Sequence, residues 1–280
     1  TVSGAADSLG IHHATVIRHV DALEARLGVK LFQRHARGYT ATEAGTDLAN
    51  IADTTEEQFT QLVARLKGQG EEVTGDVVVT ALTSFAPRLA PVLTAFQCQH
   101  PQANIRLLTG ARLFKLEYGE AHVAIRAGSA PEEPDNVAQP FMKMDVALYA
   151  APSYVSKFGL PTEQTLHDHR FIGGDGSASR APFARWMEKI IPDENVTFRV
   201  SDDVSLKQAL LAGAGIGFAV KGEHPELIEV MPPQEEWRSQ FWLVTHVDLH
   251  RTVKVQAILD CLKEAAKEWA ATDPAISLPG

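Results

Sequence analysis

Cysteine is scarce in this chain: Cys98 and Cys261 are the two among 280 residues, too few for a disulfide framework. Long apolar runs are missing as well. The longest, Ala209 to Val220, is threaded with glycines and falls well short of the ~18 residues that span a bilayer. No basic-then-apolar leader opens the sequence, so the expectation is a cytoplasmic protein with no membrane partner. Aromatic residues make up 7% and charged residues 22% against 45% hydrophobic. That balance excludes disordered and collagen-like classes, and the length gives room for about two globular domains. No internal repeat or low-complexity tract is present. Positive charge is also short, with 26 Lys and Arg against 35 Asp and Glu and a net charge of −9. Spread evenly, that excess of acid would argue against nucleic acid, because neutralising phosphates with Lys and Arg supplies most non-specific affinity.

The charge is not spread evenly. Residues 1–40 hold five basic and three acidic side chains, a net of +2, together with four histidines. Residues 41–74 carry −5 and the remainder −6. The positive segment reads as two short helices and a turn. Val2 to Leu9 is small and Ala-rich, Gly10-Ile11 interrupts it, and His13 to Leu27 places Val16, Val20, Leu23 and Leu27 on one face before Gly28 stops it. Such a pair is the helix-turn-helix pattern, whose second helix puts its first residues into the major groove. Val29 to Phe32, then Arg34, Arg37-Gly38 and Tyr39-Thr40, read as a two-stranded wing with a basic tip.

From Glu43 to Lys67 no proline occurs, and Ala44, Leu48, Ile51, Thr55, Phe59, Leu62 and Leu66 form a nearly heptad stripe on one helix of about 24 residues. Dimer pairing and packing on its own domain both fit that stripe. Residues 68–72 form a polar linker. Beyond Gly75 strands and helices alternate: strands at 76–82, 105–108, 123–125 and 145–150, helices at 87–99 and 252–270, a short helix at 114–118, and a helix-to-strand passage at 205–220. This is an α/β pattern with a mixed or mostly parallel sheet.

The run SGAADSLGIHHATVIRHVDALEARLGVKLFQRHARGYTATEAG resembles the winged helix-turn-helix of LysR-type transcriptional regulators, with Ala-Ala-x-x-Leu, LEARLG, LF-x-R and T-x-x-G in register. GDVVVTALTSFAPRLAPVLTAFQCQHPQANIRLLTG and DDVSLKQALLAGAGIGFAV are similar to the effector domain of the same family. The resemblance implies a winged helix-turn-helix in residues 1–42, a linker and dimerisation helix in 43–74, a two-lobed α/β effector domain in 75–145 and 146–245, and a return to the first lobe in 246–280. The family's first helix would precede Thr1, so the DNA-binding domain is expected to be incomplete.

Where the family has Ser-Gln at the start of its recognition helix, this chain has His12-His13. His is a poor N-cap, which makes His12 and His13 candidate base or phosphate contacts beside Thr15 and Arg18. Arg34 and Arg37 on the wing are candidates for phosphates or the minor groove; solvated surface charge is the alternative for all three arginines. Thr83 and Ser84 lie where a strand hands over to a helix, and hydroxyls with unpaired N–H groups there favour an anion; a simple helix cap is the other reading. Ala111, Arg126 and Asp203 complete the effector candidates. Expected partners are a pseudo-palindromic duplex operator, a small anionic effector, a second or fourth copy of the chain, and RNA polymerase.

Other patterns are weak. His167-Asp168-His169 lacks further ligands for a metal, Gly213 to Gly217 follows a helix and is no dinucleotide fingerprint, and both cysteines are expected as buried, inert thiols. No catalytic residue, metal, cofactor or enzymatic activity is expected. The rival reading is a periplasmic-type solute-binding protein without DNA function, which leaves residues 1–67 unexplained; an α/β enzyme ranks third.

Overall fold

The computed structural model describes residues 1–35, 38–66, 72–110, 114–162, 164–175 and 181–279. Two compact units emerge, Thr1–Glu71 with Glu117–Glu120, and Glu72–Leu116 with Ala121–Gly280. In the first, α1 (Val2–Leu9) and α2 (His13–Leu27) stand where the Ala-rich run and the apolar stripe place them. Each ends on a left-handed glycine, Gly10 at φ 64° and Gly28 at φ 72°, a conformation strained for any residue with a β-carbon. The strands β1 (Phe32–His35) and β2 (Gly38–Ala41) pair antiparallel as the wing, Phe32 opposite Ala41. Next comes α3 (Glu43–Leu66). Its start explains T-x-x-G: the Thr42 hydroxyl accepts the Gly45 amide at 3.0 Å, and any β-carbon on Gly45 would strike the Leu31 carbonyl.

One stripe differs from expectation. On α2, Val16 is buried, but Leu23 and Leu27 are 40% and 47% exposed while Glu24 is buried. The amides that begin the wing need an acceptor there, and the Glu24 carboxylate supplies it. On α3 the stripe residues Ile51 and Phe59 are exposed, as is Val63 beside them, so packing of this part of the stripe on its own unit is not observed. Leu62 and Leu66 lie outside the described side chains.

The second unit continues with β3 (Gly75–Ala81), α4 (Ala86–Gln99), β4 (Ala103–Thr109), β5 (Val123–Ala127), β6 (Asn136–Met144), β7 (Val146–Ala150), α5 (Pro152–Phe158) and β8 (Phe171–Gly174). It is completed by α6 (Pro182–Ile190), β9 (Val196–Val200), α7 (Asp203–Leu211), β10 (Gly217–Val220), β11 (Ile228–Met231), β12 (Ser239–His246), α8 (Val247–His250), α9 (Val253–Thr272) and β13 (Ile276–Ser277). The short helix expected at 114–118 is a 3₁₀ turn over Leu116–Tyr118.

Lobe I is a six-stranded sheet in the order β13-β6-β12-β5-β3-β4, parallel across β5-β3-β4 and antiparallel elsewhere. Strand β12, assigned by the sequence reading to the second lobe, pairs with β5 and β6 and so returns the chain to lobe I at Ser239. Helices α4 and α9 cover this sheet; Leu89, Val255, Ile258 and Leu262 are fully buried between them and the strands, each stabilising the fold by about 1.5–3 kcal/mol. Lobe II carries the three-stranded β10-β7-β11 sheet and the β8-β9 pair, with Phe171, Ile216, Phe218 and Trp237 in its core. Where the two connecting segments cross, Arg238 Nε meets Asp145 Oδ1 at 2.6 Å, and that hydrogen bond raises the guanidinium above its ordinary pKa. Among the described residues no helix is long and apolar enough to cross a membrane.

Candidate DNA-binding face and effector cleft

The recognition helix opens on His12. Its Nδ1 accepts the Ala14 amide at 3.3 Å, so this histidine does cap α2. His13 stands edge-on to the His12 ring at a centroid distance of 6.1 Å. His12, His13 and Arg18 are exposed, Thr15 is half-buried, and Val16 is the buried residue among them. The helix therefore presents polar side chains outward over its first two turns, and Arg18 forms no ion pair among the described residues.

The wing is tied to the same helix. Arg34 Nη2 bonds Asp21 Oδ1, and its guanidinium lies 5.2 Å from the Tyr39 ring centroid; the Asp21 bond raises the Arg34 pKa. This residue, expected at the DNA backbone, is thus held by an α2 carboxylate. Arg37 lies outside the described residues. Glu24 Oε1 accepts the Leu31 and Phe32 amides at 2.9 and 3.1 Å, and Oε2 meets Lys30 Nζ at 2.5 Å. The Lys30 contact above all, aided by the two amides and opposed by burial, lowers the Glu24 pKa to about 2. Sequence reasoning missed this clamp. A lone carboxylate between Leu23 and Leu27 was the signal.

In the second unit the parallel strand β3 ends at Ala81, and the carboxyl ends of parallel strands are the usual ligand position in open α/β sheets. Thr83 and Ser84 sit there on the 3₁₀ turn Thr83–Phe85 leading into α4, and the N-cap positions of the turn and of the helix fall on Leu82 and Phe85. The simple-cap reading of the two hydroxyls is therefore not met. The Ser84 N–H, expected unpaired, instead donates to Asp203 Oδ2 at 3.0 Å, because the first turn of α7 lies against this turn across the cleft. Two effector candidates far apart in sequence, Ser84 and Asp203, are thus joined directly.

Arg126 is engaged: its Nη2 donates to the Phe114 carbonyl at 3.1 Å, and Nη1 lies 3.9 Å from Glu133. Ala111 lies outside the described residues. Arg88, not foreseen, bonds Glu223 at 2.7 Å and Asp273 at 2.8 Å. Burial opposes its charge, but the two carboxylates outweigh burial and raise its pKa. No local signal announces contacts this distant in sequence.

The glycine run follows a helix stop as read: α7 ends at Leu211 and Gly213 is left-handed at φ 77°, while a β-carbon on Gly215 would come within 2.7 Å of the Arg170 carbonyl. His169 is buried on the Tyr154 hydroxyl at 3.2 Å, and among the described residues no His, Cys, Asp and Glu group is disposed to hold a metal. Cys98, expected buried, is exposed because it falls on the outer face of α4, while burial pushes the Cys261 thiol up.

A helix-turn-helix head followed by a two-lobed α/β domain is the architecture of a transcription regulator. The family of bacterial regulatory helix-turn-helix proteins of the LysR type matches residues 1–46, and the LysR substrate binding domain matches residues 70–267. The chain belongs to the LysR family of transcriptional regulators. It is 27% identical over 278 residues to an HTH-type transcriptional repressor of Pseudomonas aeruginosa, covering 94% of this chain and 87% of that protein. It is 33% identical over 152 residues to the HTH-type transcriptional activator IlvY of Salmonella typhimurium, covering 53% of this chain and about half, 51%, of that protein. Full-length OxyR from Pseudomonas aeruginosa shares the fold with a TM-score of 0.66 at 17% identity, over 95% of this chain and 89% of that one.

Proposed function

We propose that this LysR-family regulator acts in the cytoplasm as a homo-oligomer, binds a pseudo-palindromic duplex operator through α2 and the wing, and responds to a small anionic effector between its lobes. The observation that carries the DNA reading is the outward polar face of α2, with His12, His13 and Arg18 exposed above a buried Val16. The exposed α3 residues Ile51, Phe59 and Val63 support pairing with a second copy. Two-fold pairing of heads matches paired half-sites on DNA. Regulation then works through binding, not catalysis: an effector that favours one lobe arrangement alters operator affinity, and the operator alters effector affinity by the same factor.

The solute-binding alternative has no role for the helix-turn-helix head. Gel-shift titration tests the reading: Arg18→Ala is expected to weaken operator binding by about 1–3 kcal/mol, and unchanged affinity would remove Arg18 from the interface. On the effector side, the Thr83 and Ser84 hydroxyls, which lie off the N-cap positions, support the cleft as a site for an anion.

A further inference from the structure

The backbone N–H of Ser84 is the donor that a bound anion would use, and the protein already fills it. Asp203 Oδ2 accepts that N–H at 3.0 Å. Asp203 opens α7 in lobe II, whereas Ser84 belongs to the turn before α4 in lobe I. The bond therefore crosses the cleft. A second crossing lies one helical turn along, where Arg88 of α4 reaches Glu223 of lobe II at 2.7 Å while also holding Asp273 of lobe I at 2.8 Å. Both crossings use lobe II carboxylates. The neighbouring Asp202 has a different occupation: its Oδ1 accepts the Ser205 amide at 2.8 Å and its Oδ2 the Ser205 hydroxyl at 2.7 Å, capping α7. Of the two adjacent aspartates, one stabilises its own helix and the other reaches across.

We propose that Asp203 is a specificity-determining residue of the cleft, a tethered carboxylate that holds the Ser84 amide and the two lobes together until a small carboxylate or oxyanion displaces it. The proposal rests on the reading of the cleft as an anion site and says how that site selects. Two anions cannot share one N–H donor, and like charges at hydrogen-bond range repel. An anionic ligand must therefore push Asp203 off Ser84, whereas a neutral ligand of the same shape leaves the bond in place. The Arg88 contact with Glu223 does not depend on the Ser84 amide. It persists when Asp203 leaves, so the lobes turn about it without separating.

The test uses the full chain with Asp203→Ala, Asp203→Asn and Asp202→Asn. The last removes an equal charge one residue away while asparagine keeps the cap. Each protein is titrated with acetate and with sulfate at constant ionic strength made up with chloride, reading the thermal midpoint. Pulsed electron resonance follows the distance between spin labels on Cys98 and on Lys189→Cys, with Cys261 replaced by alanine. Asp203→Ala is expected to lower the half-saturating anion concentration about fivefold, Asp203→Asn by less, and Asp202→Asn by less than about twofold. Anion-free Asp203→Ala is expected to show the label distance that the wild type reaches only at saturating anion. Equal gains in the Asp202 and Asp203 variants would overturn the proposal as a general charge effect. Saturable binding in all proteins with no gain at Asp203 would also overturn it, leaving the anion reading of the cleft intact. Saturable binding in none of them would reject both.

Discussion

At the scale of single residues, Glu24 shows what a charge placed inside an apolar stripe does. It gives acceptors to the Leu31 and Phe32 amides and a partner to Lys30, so the helix that presents Arg18 and the strand that carries Arg34 are fixed to one another. Its pKa is lowered from 4.5 to about 2. A lowered carboxylate pKa contributes stability fully above the unfolded value and loses it as pH falls toward the folded one. The excess of the wild-type thermal midpoint over that of Glu24→Gln is therefore expected to be positive at neutral pH and to shrink as pH falls from 4.5 to about 2. A gap independent of pH across that window would show that the charge does not act there.

Arg34 carries a related prediction. Its ion pair with Asp21 is half-exposed on both sides, a type worth little in water, so a phosphate can replace the carboxylate. If it does, Arg34→Ala reduces the slope of log affinity against log salt by about 0.9; an unchanged slope would leave Arg34 to its structural pairing. The positions of Arg18, His13 and Thr15 were legible because helical periodicity assigns faces. The bonds of Arg34, Arg88 and Asp203 were not, since each depends on a partner that only tertiary structure brings near.

Among the described residues of α3 the apolar side chains Ile51, Phe59 and Val63 are exposed, Phe59 at 64%. Burying one phenylalanine stabilises by about 1.5–3 kcal/mol, so Phe59→Asp is expected to weaken self-association at least about tenfold, read by sedimentation. A variant that stays as associated as the wild type would move the interface elsewhere. The helix itself was legible in the sequence from the absence of proline and its nearly heptad stripe. Strand β6 was not, because Pro140 sits within it and a proline ordinarily argues against a strand. The structure accommodates Pro140 beside the irregularity at Phe241 and Trp242 in β12. On its other side β6 is paired only through Lys143 and Met144, so no ladder there calls on the proline for a donor. The boundary at β12 was misplaced for a similar reason: an antiparallel strand that returns to the first sheet looks locally like one more strand of the second lobe.

For the whole molecule, the net charge of −9 coexists with a positive head. Within that head two of the cations, Lys30 and Arg34, are paired with Glu24 and Asp21 of α2. Non-specific affinity follows the number of phosphates neutralised, and the proposed function has specific binding depend on two heads meeting paired half-sites. Footprinting of the full-length protein on the DNA upstream of its own gene tests this most directly. The account predicts two protected half-sites about one or more helical turns apart, lost in Arg18→Ala at the same protein concentration. Uniform protection with no half-sites, or a pattern that Arg18→Ala leaves unchanged, would contradict it.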